Sequence, residues 1–234
     1  PFGMEVQGGF FSMTGFPHTA FSVYGGGRIS PEWTEVYLKT LIAAGLNGLV
    51  IYMFHGGTNF ARWRAKYVTT TYDFDAAVRE WGELSERYYV ARRIGGFLAS
   101  LGETLVGTAP APDLGRTSDR GVQLLARAGD GAAFLFPRNL GAQERPVSIT
   151  FAHPATGQPQ TIPRRGAYIA APRSMAILPV SVSLRAGLVL QYCTSQLFHL
   201  TGGGAQEDSE GDSGETTLIL WERDGFAGEL LLSG

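Results

Sequence analysis

The sequence contains a single cysteine, few charged residues and no long apolar run. Cys193 alone excludes an internal disulfide and a zinc site built from cysteines. Charged residues make up 17% of the 234 residues and the net charge is −2. Lysine and arginine never cluster beyond a pair, so nucleic-acid binding has no electrostatic basis. Since no apolar run approaches about 18 residues, we also expect no membrane-spanning helix.

The first residues carry no targeting signal. Pro1-Phe2-Gly3 lacks both the charged and the apolar segment of a signal peptide and resembles the interior of a longer chain. We therefore expect any signal to lie upstream. Cytoplasmic and secreted locations both stay open, as does the number of subunits.

The sequence also contains no recognisable metal or cofactor motif. The four histidines lie far apart without zinc-ligand spacing. The segment Gly25-Gly26-Gly27-Arg28 has neither the Walker spacing nor the dinucleotide spacing. We therefore expect no metal and no organic cofactor.

The first part of the chain shows an alternation of helix and strand signals. Ser30 is a good N-cap for a helix predicted from Pro31 to Ala44. The apolar run Leu49 to Phe54 is typical of a parallel strand buried on both faces. A second helix is predicted from about Leu84 to Leu101, with Gly102 at its end. This order favours an α/β barrel or a doubly wound sheet.

After Gly107 the pattern changes to short strands. Runs Val122 to Ala126 and Ala132 to Phe136 flank a hairpin signal around Asp130-Gly131. The glycine-rich, acidic stretch Thr201 to Glu215 predicts an exposed loop. We therefore expect an α/β region followed by an all-β region.

Two segments near the N-terminus suit carbohydrate chemistry. Glu5 is followed by two glycines and by the aromatic residues Phe10 and Phe11. A carboxylate can attack an anomeric carbon, and aromatic rings can stack on a sugar. The segment Tyr52 to Phe60 predicts a turn at a strand end, where α/β barrels form their active sites. From composition alone, Glu5 fits a surface glutamate near a chain end better than a nucleophile, and a plain turn with buried aromatics stays open for Tyr52 to Phe60.

A third segment supplies a phenol and two carboxylates. It reads Thr71-Tyr72-Asp73-Phe74-Asp75 and closes the long loop after the predicted strand. These groups suit the hydroxyls of a sugar. They suit the capping and anchoring of the loop as well, so both interpretations stay open.

Taken in order, these segments resemble glycoside hydrolase family 35, the β-galactosidases. The resemblance covers residues 4–101 and rests on four motifs: Met4 to Gly15 resembles the segment around the nucleophile, Tyr52 to Phe60 the family's most characteristic stretch, Thr71 to Ala76 its Ser-Tyr-Asp-Tyr-Asp-Ala segment, and Glu80 to Tyr88 the Glu-x-Gly and Glu-Lys-Tyr that follow.

The resemblance implies a fold and an activity. The fold would be the C-terminal part of a (β/α)8 TIM barrel in residues 1–107, a β-sandwich-like domain in residues 108–184, and the start of a further β-rich segment in residues 185–234. The activity would be that of a retaining exo-β-galactosidase acting on terminal β-D-galactosyl residues through a covalent intermediate. Its partner would be a carbohydrate substrate.

The resemblance also implies roles for single residues. Glu5 matches the nucleophile, and Tyr52 and Tyr72 match active-site tyrosines. The family's acid/base glutamate lies in an Asn-Glu pair on an earlier strand and has no match here. We therefore expect the 234-residue chain to be inactive by itself.

Three departures from the family pattern bear on specificity. Gln7 stands where Tyr or Trp is common, Phe10 where Trp is common, and Phe74 where Tyr is common. We expect all three to border the substrate, and the changes leave another sugar open, such as a β-glucosaminide. A non-catalytic carbohydrate-binding β-module in residues 116–234 is the alternative from a different functional class.

Overall fold

The computed structural model describes residues 2–7, 30–65, 68–184, 187–201 and 216–234, without the side chains of Met4 and Gln7. The chain divides into two compact units. The first comprises Pro1–Leu38 and Leu46–Arg93, and the second Lys39–Gly45 and Ile94–Gly234. The predicted boundaries at residues 107 and 184 stay predictions.

The first unit holds short strands and the beginnings of both helices. Its strands and 3-10 helix are β1 (Phe2–Gln7), β2 (Gly48–Tyr52), β3 (Gly57–Thr58), β4 (Thr71–Tyr72) and the turn Phe60–Arg62. Helices α1 (Pro31–Ala43) and α2 (Glu86–Val106) begin in this unit, and their last residues belong to the second.

Strands β1 and β2 pair in parallel, which confirms the parallel strand predicted over residues 49–54. Its predicted burial on both faces is wrong, because Val50 is 46% exposed. In the described part of the chain this sheet has two strands. One edge of β2 therefore has no strand beside it among these residues.

Helix α1 agrees with its predicted bounds to within one residue, whereas α2 ends later than predicted. The backbone N–H of Trp33 donates to Ser30 Oγ at 3.4 Å, which confirms Ser30 as the N-cap of α1. Helix α2 continues past Gly102, because buried Leu101 and Leu105 extend its apolar stripe by another turn. Among the described residues, no helix is long and apolar enough to cross a bilayer.

The second unit is built mainly of antiparallel strands. They are β5 (Ala109–Pro110), β6 (Gly115–Thr117), β7 (Gln123–Gly129), β8 (Ala132–Asn139), β9 (Arg145–Val147), β10 (Ile149–Ala152), β11 (Pro159–Ile162), β12 (Tyr168–Ala170), β13 (Ser174–Met175), β14 (Leu178–Ser183), β15 (Val189–Cys193), β16 (Gln196–Thr201), β17 (Thr217–Trp221) and β18 (Leu230–Ser233). The largest sheet has the order β18-β15-β14-β8-β7-β5, with β13 beside β8. Smaller sheets are β11-β10-β6, β12-β9 and β16-β17.

The predicted hairpin is confirmed. Strands β7 and β8 pair antiparallel from Gly129 and Ala132 outward. The two turn residues, Asp130 and Gly131, have φ values of 52° and 78°, as a tight hairpin turn requires. The β-rich character predicted after Gly107 is thus confirmed. The predicted loop over residues 201–215 lies outside the described residues except for Thr201.

One hydrophobic core joins the largest sheet of the second unit to the smaller ones. Leu135, Leu178 and Tyr192 come from the large sheet, and Ile149 and Ile162 from the three-stranded sheet. All five are fully buried. Packing two sheets around a shared core is typical of a β-sandwich.

The guanidinium of Arg127 is buried in the same unit and is 1% exposed. It donates to the carbonyl oxygens of Ile42, Leu105 and Thr108 at 3.0, 2.9 and 2.8 Å. Burial lowers the pKa of Arg127 below its ordinary value. The last carbonyls of a helix lack partners within the helix, and Arg127 adds a second donor to Ile42 and Leu105, whose oxygens also accept the backbone N–H of Gly45 and of Thr108.

Candidate active site

Glu5 lies where the pairing of β1 with β2 changes register. Between the pairs Gly3–Leu49 and Val6–Ile51, β1 has two residues and β2 has one. Such a bulge re-aims side chains and is frequent beside active sites. The Glu5 side chain is exposed, so its carboxylate can be reached from solvent.

Tyr52 and Tyr72 meet at the ends of β2 and β4. Their phenolic oxygens lie 3.0 Å apart, and both side chains are half-buried. Burial, the hydrogen bond to Tyr52 and the negative charge of Glu5 raise the pKa of Tyr72 to about 12. Three residues predicted from the sequence therefore form one cluster, within electrostatic reach of one another.

Phe74 supports this cluster from within the fold. It is 1% exposed, and its ring centre lies 5.3 Å from that of Tyr52 and 5.5 Å from that of Tyr72. The contact with Tyr52 is edge-to-face, which is favourable for aromatic pairs. The expected contact of Phe74 with a substrate stays a prediction.

The other two predicted binding residues lie at the limit of the described structure. Gln7 pairs with Tyr52 in the β1–β2 register, which brings its backbone to the cluster. Its side chain, and all of Phe10, lie outside the described residues. Their contacts with a substrate stay predictions.

The carboxylates of Asp73 and Asp75 are engaged by arginines. Asp75 pairs with Arg79 at 2.5 Å and with Arg87 at 2.7 Å, and Asp73 pairs with Arg79 at 2.8 Å. Burial raises the pKa of Asp75, but the two guanidiniums outweigh it and hold that pKa below its usual value. These ion pairs favour the anchoring interpretation of both aspartates.

The ion pairs fix an unusual stretch of backbone. Phe74 and Asp75 have φ values of 58° and 51°, a region that costs residues other than glycine of order 1–3 kcal/mol. Contacts of Asp75 with Arg79 and Arg87 keep the chain in this conformation. Sequence reasoning did not select either arginine, although the four-residue spacing of Asp75 and Arg79 was visible.

Gly56 is needed where the loop after β2 touches Asp73. A Cβ atom on Gly56 would lie 2.6 Å from the Asp73 carbonyl oxygen, whereas one on Gly57 would have nothing within 4 Å. Neither glycine has a positive φ. The sequence predicted a sharp turn at both glycines. The structure instead requires glycine at position 56, because the backbone of Gly56 lies close to that of Asp73.

A separate concave region of the same unit has a volume of about 560 Å³. It is lined by the residues Ser30, Pro31, Glu32, Asp75, Arg79, Trp81, Glu83, Ser85, Glu86 and Arg87. Glu5, Tyr52 and Tyr72 are not among them. In the part of the chain that the structure describes, no group of three or more His, Cys, Asp or Glu side chains is placed to hold a metal ion.

Comparison with known proteins finds a family match for the N-terminal part of the chain. Residues 4–98 match the family model of glycosyl hydrolases family 35. The resemblance predicted from the four motifs is thereby confirmed. The match to family 35 contains Glu5, both tyrosines of the cluster and the ion-paired aspartates.

Several curated proteins that resemble part of this chain carry the name β-galactosidase. A probable β-galactosidase C of Neosartorya fischeri is 32% identical over 120 residues, 50% of this chain and 12% of the relative. The β-galactosidase of Felis catus is 33% identical over 95 residues, 38% of this chain and 13% of the relative. The β-galactosidase of Bos taurus is 42% identical over 71 residues, which are 28% of this chain and 11% of the relative. The chain thus spans little more than a tenth of the length of these relatives.

Proposed function

We propose that this chain is part of a retaining exo-β-galactosidase in which Glu5 is the nucleophile. The observation that carries the proposal is the cluster of Glu5, Tyr52 and Tyr72 at strand ends inside the segment that matches family 35. The β-galactosidase names of the relatives support the substrate class, a terminal β-D-galactoside.

In this proposal the Glu5 carboxylate attacks the anomeric carbon. The glycosidic C–O bond breaks, and a second carboxylic acid protonates the leaving oxygen. The covalent galactosyl ester on Glu5 is then hydrolysed by water, whose proton passes to that second carboxylate. Two inversions at the anomeric carbon give net retention.

The raised pKa of Tyr72 limits what this phenol does in the reaction. With a pKa of about 12 it keeps its proton at neutral pH. It therefore serves as a hydrogen-bond donor and not as a base. A donor beside Glu5 suits either the ionised carboxylate or a sugar oxygen.

The second carboxylate is proposed to come from outside these 234 residues. The sequence has three asparagines, at positions 47, 59 and 139, and none precedes a glutamate. An Asn-Glu pair of the family type is therefore missing from these residues. We accordingly place residues 1–107 in the C-terminal part of a (β/α)8 barrel, followed by an all-β domain over 108–184 and the start of a further β-rich segment over 185–234.

A mechanism-based inactivator tests the proposal on the full-length gene product. A 2-deoxy-2-fluoro-β-galactosyl donor should trap the ester, and mass spectrometry of the digested protein should find the label on Glu5. Glu5→Gln should lower turnover of an aryl β-galactoside by on the order of a thousandfold or more. Glu83→Gln changes an exposed carboxylate of the same unit and should keep wild-type turnover. A label on another carboxylate would remove Glu5 from this role.

The same experiment separates sugars. Gln7, Phe10 and Phe74 depart from the family pattern, so a 2-deoxy-2-fluoro-glucosyl donor and a glucosaminyl analogue fluorinated at C5, which keeps its nitrogen on C2, should be run in parallel. Labelling of Glu5 by the glucosaminyl analogue alone would keep the mechanism and change the substrate. The 234-residue chain expressed alone should show no turnover.

A further inference from the structure

We propose that Glu80 is a positioning residue of this site: its carboxylate locks β3 to β4 and thereby fixes Tyr72 against Tyr52. The inference rests on the proposed function, because the site that Glu80 orders is the proposed galactoside site. Glu80 itself does not touch the sugar and acts through Tyr72.

Both oxygens of the Glu80 carboxylate are used. Oε1 accepts a hydrogen bond from the hydroxyl of Thr58, and Oε2 accepts one from the hydroxyl of Thr71. These threonines face each other across the β3–β4 pair. A two-residue strand pair has little stability of its own, so a side chain that bridges its strands contributes much of what holds it.

Glu80 also ties the chain on either side of Tyr72. Thr71, before it, is held through its hydroxyl. Asp73, after it, accepts the backbone N–H of Glu80 on Oδ1 at 2.7 Å. Both neighbours of Tyr72 in the chain, Thr71 and Asp73, are therefore hydrogen-bonded to Glu80, and these two bonds set the direction of the Tyr72 side chain.

The position of Tyr72 decides two properties of the cluster. Its phenolic oxygen meets that of Tyr52 at 3.0 Å, and its pKa responds to the charge of Glu5. Misplacing a positioning group by about 1 Å can cost a hundredfold in rate. Loosening the β3–β4 pair should therefore lower the reaction rate without removing any group that contacts the substrate.

A direct catalytic role for Glu80 makes the opposite prediction for one variant. In Glu80→Gln the amide oxygen can accept from one threonine while the NH₂ donates to the hydroxyl of the other, so both bridges remain. An acid, base or nucleophile would lose its function in this variant. Glu80→Ala removes both bridges whatever the role.

The experiment compares Glu80→Gln, Glu80→Ala and the control Glu83→Gln in the full-length gene product. It measures kcat and KM on an aryl β-galactoside and titrates Tyr72 by NMR with isotope-labelled tyrosine. Glu80→Ala should lower kcat/KM by roughly ten- to a hundredfold and bring the pKa of Tyr72 down from about 12. Glu80→Gln should stay within about threefold of wild type, and Glu83→Gln should change neither reading.

Two results would overturn the inference. One is a Glu80→Ala protein with wild-type kcat/KM and an unmoved Tyr72 titration, and the other is a Glu80→Gln protein as impaired as Glu80→Ala. If the wild-type protein cleaves no galactoside and Glu5 takes no label, the proposed function fails, and the Tyr72 titration alone decides the role of Glu80. Should Glu80→Ala fail to fold, Thr58→Val cuts one bridge at an exposed residue and should shift both readings in the same direction, by less.

Discussion

The phenolic oxygens of Tyr52 and Tyr72 lie 3.0 Å apart, and the Tyr52 hydroxyl helps to raise the pKa of Tyr72 to about 12. In Tyr52→Phe the hydrogen bond and the repulsion between the two oxygens disappear, while the burial of Tyr72 remains. We expect the pKa of Tyr72 to fall but to stay above its ordinary value of about 10. NMR titration of labelled tyrosine, with Tyr72→Phe to assign the signal, measures this change.

The same pair has a consequence for stability at high pH. Between about 10 and about 12 the unfolded Tyr72 loses its proton before the folded one. The folded state then binds more protons, so the free energy of unfolding should decrease as pH rises through this range. Denaturant unfolding at several pH values should show a shallower decrease in Tyr72→Phe, and an unchanged slope would contradict the assignment.

Asp75 should act on stability at the opposite end of the pH scale. Its pKa is held below the usual value by Arg87 and Arg79, so it contributes stability above about pH 4, which is lost as pH falls through the folded-state pKa. Asp75→Asn should lower the free energy of unfolding at neutral pH by about 3–5 kcal/mol, because the buried guanidinium of Arg87 loses its carboxylate partner and Arg79 keeps only Asp73. Denaturant unfolding at neutral and acid pH checks both statements.

The comparison for this prediction is Asp119→Asn. Asp119 pairs with Arg145 at 2.7 Å on a more exposed part of the surface. Solvent screens such a pair, so the change in stability should be clearly smaller than for Asp75→Asn. Equal losses in the two variants would show that burial does not set the strength of the Asp75 pairs.

Gly56 and Gly57 form a matched pair for a substitution test. In Gly56→Ala the new Cβ would lie 2.6 Å from the backbone oxygen of Asp73, so the loop must shift, at a cost of about 1–3 kcal/mol. In Gly57→Ala the Cβ has open space, and stability should stay near wild type. Thermal unfolding of both variants measures the difference. A destabilised Gly57→Ala with a normal Gly56→Ala would refute the predicted contact with Asp73.

Arg127 should be important for the second unit although it has no part in the site. Arg127→Met keeps much of the side-chain volume but removes the guanidinium donors to the carbonyls of Ile42, Leu105 and Thr108. The Ile42 and Leu105 oxygens keep a backbone N–H donor, so we expect a loss of about 1–3 kcal/mol in the free energy of unfolding. Arg116→Met changes an exposed arginine on β6 and should cost far less. Denaturant unfolding of the two variants provides the measurement.

Local signals in the sequence predicted several elements because short-range chemistry decides them. Ser30 before Pro31 marks the start of α1, since a side-chain oxygen there satisfies a free helix N–H. Asp130-Gly131 marks the hairpin between β7 and β8, since both residues accept positive φ. The end of α2 was mispredicted, because the burial of Leu105 outweighs the local cost of Gly102 within the helix.

The candidate site, too, was predicted from the sequence only in part. Motif order selected Glu5, Tyr52 and Tyr72 as site residues, and their roles stay predictions; the match of residues 4–98 agrees with the family resemblance alone. The sequence could not show that Phe74 is buried against both tyrosines, nor that Arg79 and Arg87 hold Asp75. These contacts join residues whose side-chain directions depend on the packed backbone.

By itself, the sequence determined the resemblance of the N-terminal region to family 35, the change from α/β to β-rich structure, and the residue types available for glycoside chemistry. Each of these depends on residue identity and order along the chain. Only the tertiary structure decided that Glu5 lies at a bulge, that Tyr52 and Tyr72 touch, and that Glu80 ties β3 to β4. Strand register and positive φ angles set these relationships. Both arise when the whole unit packs, so no local sequence pattern predicts them.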